Sequence, residues 1–430
     1  MAAVIGFLAF ASNTAASPLY RVYQAQFRFS AGTLTLLFTV YVVVLLATLL
    51  FLGSLSDYVG RRRVMLAGLA VGALACGLFA LAHGIGLLYG ARALQGIAVG
   101  LITGAAGAAL LDLRPGSRAA PLVSSAAPTG GQALGAIGAS ALAQFAPAPT
   151  HLVWWLLIGA FVISIPAVLA MPEPGATRPG VVGSLRPRVS VPREARGAFI
   201  VAVPCLVGVW ALGGFYLSLG PSLAAQLVKS DQLLWGGILI FLLTGLGAIA
   251  SAPLAKRDPS GVMLGGCLAL IAGALVTFAA IETSTMSLLF IGTAIAGAGF
   301  GPAFMGAYKT VVAPAPPASR AGLITAIYIV SYVATGIPVV IGGFAASRYG
   351  IHATALVYSV IVAALAAGAV ILLILRRGPA RTAQPGTRYP DPPPGPATCP
   401  PCPPIARSSP VPDEGTPNVS QRGRSGVAPL

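Results

Sequence analysis

Stretches of roughly 18 to 27 predominantly apolar residues recur along this chain almost to residue 375, each long enough to cross a hydrocarbon core of about 30 Å as an α-helix. That recurrence leaves few folds open. Inside a bilayer every backbone N–H and C=O must be paired within the protein, which only helices and closed barrels achieve. The alternation of apolar and polar residues with turns about every ten residues, which marks a barrel, is absent. Ala, Leu, Val, Ile and Gly fill the blocks, and small residues let helix backbones approach where lipid supplies no hydrophobic drive. Only 8% of residues are charged and 56% are hydrophobic, whereas soluble domains average about 25% charged. The reading is an all-α membrane protein.

The pattern predicts about twelve helices, over 1–18, 33–53, 63–82, 86–111, 119–145 and 150–171, then 197–220, 233–255, 261–281, 285–309, 320–343 and 352–375. The first is short and starts at Met1, with no charged stretch ahead of it of the kind a cleaved signal carries. A polar segment bearing Pro, Gly and Arg, residues 172–196, reads as a cytoplasmic linker between six-helix bundles at 1–171 and 197–375. Residues 376–430 are Pro-rich and read as a disordered cytoplasmic tail. Cys399 and Cys402 in that tail lack the further ligands a zinc site needs, and Cys76, Cys205 and Cys267 lie singly in apolar runs. No metal site or cofactor is expected.

The halves echo each other. Pro115-Gly-Ser-Arg-Ala before helix 5 matches Pro317-Ala-Ser-Arg-Ala before helix 11, and Val64-Met-Leu-Ala-Gly matches Val262-Met-Leu-Gly-Gly. The offsets of 202 and 198 residues fall in corresponding helices, the trace of an internal repeat.

A net charge of +16 points to nucleic acid or acidic lipid in a soluble protein, but here the charges sit in loops and set topology. An inside N-terminus places Arg61, Arg62, Arg63, Arg114, Arg118, Lys256, Arg257, Lys309, Arg320, Arg376 and Arg377 in the cytoplasm, and leaves only Arg21, Arg28, Lys229 and Arg348 outside. A multi-pass protein of the plasma membrane with both termini cytoplasmic follows, with lipid as its surroundings and no nucleic acid partner.

The strongest local signal is Gly53-Ser-Leu-Ser-Asp57-Tyr-Val-Gly60-Arg61-Arg62-Arg63, between helices 2 and 3. Gly53 lets the end of helix 2 approach a neighbour, Gly60 permits a tight turn, and Asp57 suits a positive helix end or an Arg. Three arginines alone would also serve as a topological stop. In helix 4, Arg92-Ala-Leu-Gln95-Gly96 puts a cation at membrane depth, costly by about several kcal/mol unless it meets a cavity or a partner. Gln95 lies one turn away on a similar face. Helix 5 carries Pro128-Thr-Gly130-Gly131-Gln132-Ala-Leu-Gly135-Ala136, glycines suited to helix packing.

These motifs resemble those of the major facilitator superfamily, over about residues 1–375. The first is similar to G-x-x-x-D-x-x-G-R-R, and the resemblance implies that Asp57 and the arginines latch the halves together on the cytoplasmic face, with Arg320 and the start of helix 11 as partners, releasing during alternating access. The second is similar to R-x-x-Q-G, known in drug/proton antiporters. The third resembles the glycine-rich fifth helix of antiporters, yet has Gly135-Ala136 where many have Gly-Pro, so the kink is not encoded. The corresponding junction in the second half, Ala255-Lys-Arg-Asp-Pro259, lacks the glycines.

No carboxylate falls at membrane depth: Asp57, Asp112, Glu173, Glu194, Asp231, Asp258 and Glu282 are all in loops or at helix ends. A neutral or anionic small-molecule substrate is therefore favoured, with Asn13, Arg92, Gln95, Gln132, Trp210, Tyr216, Tyr328 and Tyr332 as candidate cavity groups. Protons remain the candidate coupling ion, and a monomer suffices. The expected function is secondary active transport, with efflux of a drug-like or metabolite compound. The alternative is a transporter-derived sensor that binds without moving its ligand. An enzyme is not expected, since no acid pair, metal cluster or activated nucleophile occurs at membrane depth.

Overall fold

The computed structural model describes residues 1–113, 120–173, 189–316 and 319–376, within one compact unit, Met1–Gly378. The proline-rich tail, Cys399 and Cys402, most of the linker, and Arg114 and Arg118 lie outside the described residues. The elements are α1 (Ala2–Phe27), α2 (Ala31–Leu52), the short α3 (Ser56–Val59), α4 (Arg61–Ala80), α5 (Ile85–Leu113), α6 (Ala120–Phe145), α7 (Leu152–Leu169), α8 (Arg193–Ser218), α9 (Gly220–Val228), α10 (Leu234–Leu254), α11 (Pro259–Glu282), α12 (Met286–Val312) and α13 (Arg320–Arg376). Ten of these are long and apolar enough to cross a membrane. One, α13, is two helices that meet at Gly350, where the backbone turns to φ 83°, and α6 is a further helix of 26 residues.

Three boundaries differ from expectation by four residues or more, one of them at the end of the helix expected to stop at 343, which instead continues to the turn at Gly350 and carries Arg348 on it. Helix α1 continues to Phe27 with Pro18 inside it, nine residues past the predicted end at 18, which carries Arg21 out of a loop and onto the helix. Membrane helices tolerate such a proline, because neighbouring groups re-satisfy the freed carbonyl. Helix α8 begins at Arg193 rather than 197, with Pro192 just ahead of its first turn, so the linker is shorter than the composition indicated.

Within the first half, α1 packs on α6, α4 on α5 and α4 on α7; in the second, α11 packs on α12 and α8 on α13. Trp154 of α7 clamps the first group: its Nε1 donates to Tyr23 Oη at 2.8 Å, and its ring stacks on Phe79 at 4.2 Å. The echo between the halves has a geometric counterpart. A side chain at Gly68 would strike Ile102 of α5, and one at Gly266 would strike the backbone of Ala303 on α12, so the repeated glycine serves the same helix crossing twice.

The halves meet along α2 with α13 and α6 with α10. Both seams need small residues: a side chain at Gly343 would overlap Thr35, and one at Gly237 would overlap Ser140. Among the described residues, every hydrogen bond or ion pair that crosses between halves lies at the ends of these helices remote from the Asp57 loop. Arg21 pairs with Asp231 at 3.2 Å, Gly32 N donates to Ser347 Oγ at 3.0 Å, and Leu234 N donates to Gln144 Oε1 at 3.0 Å. One face of the molecule is thus stitched shut.

Candidate functional site

Arg92 is fully buried about two turns into α5. Because α1 runs straight through Pro18, Asn13 and Tyr20, seven residues and about two turns apart, lie on one face and both reach the guanidinium. Tyr20 Oη accepts from Nε, while Nη1 donates to Asn13 Oδ1 at 3.0 Å, the Asn13 carbonyl at 3.3 Å and Gln95 Oε1 at 2.8 Å. Gln95 is itself fixed by donating through Nε2 to Ser12 O at 3.0 Å. Three rings stand over the cation: Tyr20 at 5.0 Å, Tyr41 at 5.2 Å and Phe38 at 5.9 Å from Cζ. Desolvated cation–π contacts contribute up to about 2 kcal/mol each, which with the neutral acceptors offsets much of the burial cost. Nη2 has no hydrogen-bond partner.

Gly96 completes this arrangement. A side chain there would meet Tyr41 O at 2.8 Å and Leu45 N at 2.9 Å, so the glycine after Gln95 lets α2 close on α5 and carry the Tyr41 ring over Arg92. The glycines of helix 5 likewise serve packing: side chains at Gly131 and Gly135 would collide with the carbonyls of Phe7 and Ala11 on α1. Thr14 Oγ1 donates to the Gln132 carbonyl at 2.9 Å across the same crossing. Gly130 only brushes Phe7, at 3.8 Å, and Pro128 lies inside α6.

The second half contributes a run of touching rings: Tyr308 to Phe304 (6.2 Å), Phe304 to Trp210 (5.4 Å), Trp210 to Tyr332 (5.3 Å) and Tyr332 to Tyr328 (6.1 Å). Gly336, one turn on from Tyr332, lies against α2, with Thr39 and Val42 3.5 and 3.8 Å from its missing Cβ, so this run adjoins the helix that carries the Tyr41 ring over Arg92. Tyr216 does not join it: its hydroxyl is engaged by Thr293 Oγ1 at 3.1 Å inside the second half. Tyr20, Phe38, Tyr41, Phe304 and Tyr308 were not singled out from sequence. Tyr20 was hidden by the expected helix end at 18, and aromatic residues at helical spacing carry no mark separating cavity from core.

At the loop between α2 and α4, Asp57 is held by Arg61 of the next turn, which also donates to Ser56 Oγ at 2.7 Å. Arg320, its expected partner, instead donates through Nε to Ala315 O at 3.1 Å. Arg63 makes a long contact, 3.5 Å, to Val59 O. Gly53 does bring α2 onto a neighbour: its carbonyl lies 3.0 Å from where a side chain at Gly104 of α5 would begin. Gly60 is required twice over, by φ 108° and by the Glu173 carboxylate, 3.1 Å from its missing Cβ. Glu173, just past α7, accepts from Arg61 N at 2.5 Å and from Arg62 N at 3.3 Å, capping α4 from another helix; nothing near it in sequence signals this. The described residues hold no cluster of three metal-ligating side chains, and Cys76, Cys205 and Cys267 are free and buried.

The model of the Major Facilitator Superfamily matches residues 2–337, and the chain belongs to that family. It is a multi-pass membrane transporter. A segment of 72 residues, 17% of this chain, is 47% identical to the multidrug efflux pump LfrA of Mycolicibacterium smegmatis and spans 14% of that protein's length. The fold is similar to a crystal structure of a bacterial homologue of the human lysosomal transporter Spinster, in an inward-facing and occupied conformation (TM-score 0.70, 15% identity, covering 86% of this chain and 95% of that one). It is also similar to the nucleoside transporter NupG (TM-score 0.67, 12% identity, 86% and 98% covered) and to the human organic anion transporter MFSD10, or TETRAN (TM-score 0.60, 17% identity, 86% and 98% covered).

Proposed function

We propose that this chain is a secondary active transporter that exports a small drug-like or metabolite solute by alternating access, from a plasma membrane position with both termini cytoplasmic. The observation that carries the reading is the one-sided stitching of the halves: their cross-links among the described residues lie opposite the arginine-rich face. If that face is cytoplasmic, as the Lys and Arg distribution requires, this is an inward-facing state. In it Asp57 is turned onto Arg61 of its own loop. In the outward-facing state Asp57 swings toward the start of α13 near Arg320, where a helix N-terminus favours a carboxylate. Each state then holds the carboxylate differently, which biases the equilibrium between them.

A neutral or anionic solute fits a core whose buried charge is Arg92, and protons are the candidate coupling ion. Export follows the likeness to a multidrug efflux pump over 72 residues. Purified protein in proteoliposomes, loaded with candidate compounds with and without an imposed pH gradient, tests the reading. Flux is expected to fall at least tenfold in Asp57→Asn and Arg92→Ala; unchanged flux in both removes this mechanism.

A further inference from the structure

The centre of the molecule holds hydrogen-bond donors that nothing in the protein uses. Arg92 Nη2 is unpartnered although the residue is wholly buried, and its other nitrogens are all engaged by neutral acceptors. Three more buried polar atoms without partners belong to the facing helices: Thr39 Oγ1, on α2 where it lies against Gly336 of α13; Ser331 Oγ, on α13 within two turns of Gly336; and Trp210 Nε1, whose ring adjoins Tyr332. Buried polar groups are ordinarily paired, so an unpartnered guanidinium nitrogen, with further orphans on α2, α8 and α13, marks a place shaped for something else.

The charge balance narrows what that is. A guanidinium in a low-dielectric interior is ordinarily matched by a carboxylate, yet among the described residues the carboxylates seen in contact sit at helix ends or in loops and are otherwise engaged: Asp57 with Arg61, Asp231 with Arg21, Glu173 with the first turn of α4, Asp258 with Gly261 N. Tyr20, Asn13 and Gln95 orient Arg92 without neutralising it. The surroundings are flat and apolar: the rings of Phe38 and Tyr41 stand over the cation, and the second half, which packs on α2, presents the run of Tyr332, Trp210 and Phe304. One fixed positive charge calls for one negative charge, and the rings call for a planar apolar body.

We infer that Arg92 binds the anionic group of a small aromatic monoanion, such as a carboxylate, through Nη2 when the rings of Tyr20 and Tyr41 part, with its body lying on the aromatic run of the second half. This rests on the transporter reading for its setting, and it names the substrate class of the same site.

The test uses the purified full chain and matched probes: benzoate and 2-naphthoate, their neutral amides, and the corresponding benzyl and naphthylmethyl ammonium ions. Binding is read by tryptophan fluorescence in detergent, and flux separately in proteoliposomes. At least one carboxylate is expected to bind tenfold or more tightly than its own amide and its ammonium counterpart. Arg92→Gln is expected to bring carboxylate and amide within twofold of each other, while Arg92→Lys keeps the sign of the preference; should Arg92→Gln not fold, a lysine variant without any carboxylate preference overturns the inference. It is also overturned if the ammonium probe binds best, if Arg92→Gln retains the wild-type ratio, or if no carboxylate binds. Arg92-dependent carboxylate binding without flux would leave the inference standing and remove the transporter reading. Flux of ammonium probes alone would do the reverse.

Discussion

Tyr20 in the first half and Tyr216 in the second each reach from the opening helix of their bundle to a polar group on its fourth helix: Arg92 in one case, Thr293 in the other. The paired positions are 196 and 201 residues apart, close to the offsets of the sequence echoes. The repeat has kept the contact and changed its chemistry. A charge in the first half carries four hydrogen bonds and three ring contacts, whereas the hydroxyl in the second half carries the tyrosine and its own turn, donating to Leu289 O. The first half is thus built around a group that needs a counter-ion, and the second supplies a neutral aromatic wall.

The most severe way to break this comparison is to remove each group in turn. Truncating Arg92 to Ala strands Asn13 Oδ1, Gln95 Oε1 and Tyr20 Oη in a dry core, at about 1–3 kcal/mol for each unpaired group. Flux in proteoliposomes is expected to fall about a hundredfold or more, with a clear loss of thermal stability. Thr293→Val, which keeps shape and loses the hydroxyl's bonds to Tyr216 and Leu289 O, is expected to cost about 1–3 kcal/mol and to change flux less than threefold. Equal losses would mean that the two contacts are both structural.

The same asymmetry appears at the start of the third helix of each half. Gly60 and Asp258, 198 residues apart, occupy the N-cap positions of α4 and α11. Asp258 caps its own helix, accepting from Gly261 N at 2.6 Å. Gly60 has no side chain to do so, and Glu173 reaches in from the end of α7 instead. Asp258 caps from within its own junction, which Lys309 of α12 also braces by donating to Ala255 O at 2.6 Å, while the cap on α4 comes from the last helix of its bundle and ties the Asp57 loop to it. Gly60→Ala combines a positive φ with a blocked carboxylate and is expected to cost about 1–3 kcal/mol. Asp258→Ala loses a cap, about 0.5–2 kcal/mol, with flux nearly unchanged. Melting curves and flux for both variants distinguish the two loops.

Much of this was readable in sequence because hydropathy and small-residue spacing act locally. The apolar blocks fixed where helices run, and Gly53, Gly96, Gly131 and Gly135 proved to be places where backbones touch. Arg92 and Gln95 declared themselves because a cation at membrane depth needs a reason. What sequence concealed depends on tertiary reach: Pro18 hid Tyr20 by imitating a helix end, Glu173 acts across 112 residues on Arg61, and Tyr41 matters only because Gly96 admits α2. Tyr216 matched the aromatic pattern of Trp210 and Tyr332, but a turn and a half further along α8 it faces Thr293 rather than the run of rings.

Between the Asp57 and Asp258 loops the difference in transport should be smaller but still distinct. Asp57→Asn keeps the size of the side chain and removes the charge that Arg61 holds. Since Asp57 is proposed to change partner between states, the variant is expected to slow flux about tenfold with a stability change below about 1 kcal/mol, as befits a partly exposed pair. Asp258→Asn, whose partner is a backbone N–H of its own helix, is expected to leave flux within twofold. A fall of the same size in both would sink the latch.

The weakest expected effect lies at the opposite face, where Arg21 of α1 pairs with Asp231 ahead of α10. This is one of three bonds stitching the halves there, and the Asp231 side chain is fully exposed; exposed pairs contribute little and are screened by salt. Arg21→Gln is expected to change flux less than twofold at physiological ionic strength. Its interest is in direction, since any effect should favour opening of this face and so increase labelling of a cysteine placed at Thr35, in the α2–α13 seam. Reduced labelling would place the ion pair outside the seal, and leave closure of that face to the glycine seams of Gly343 and Gly237.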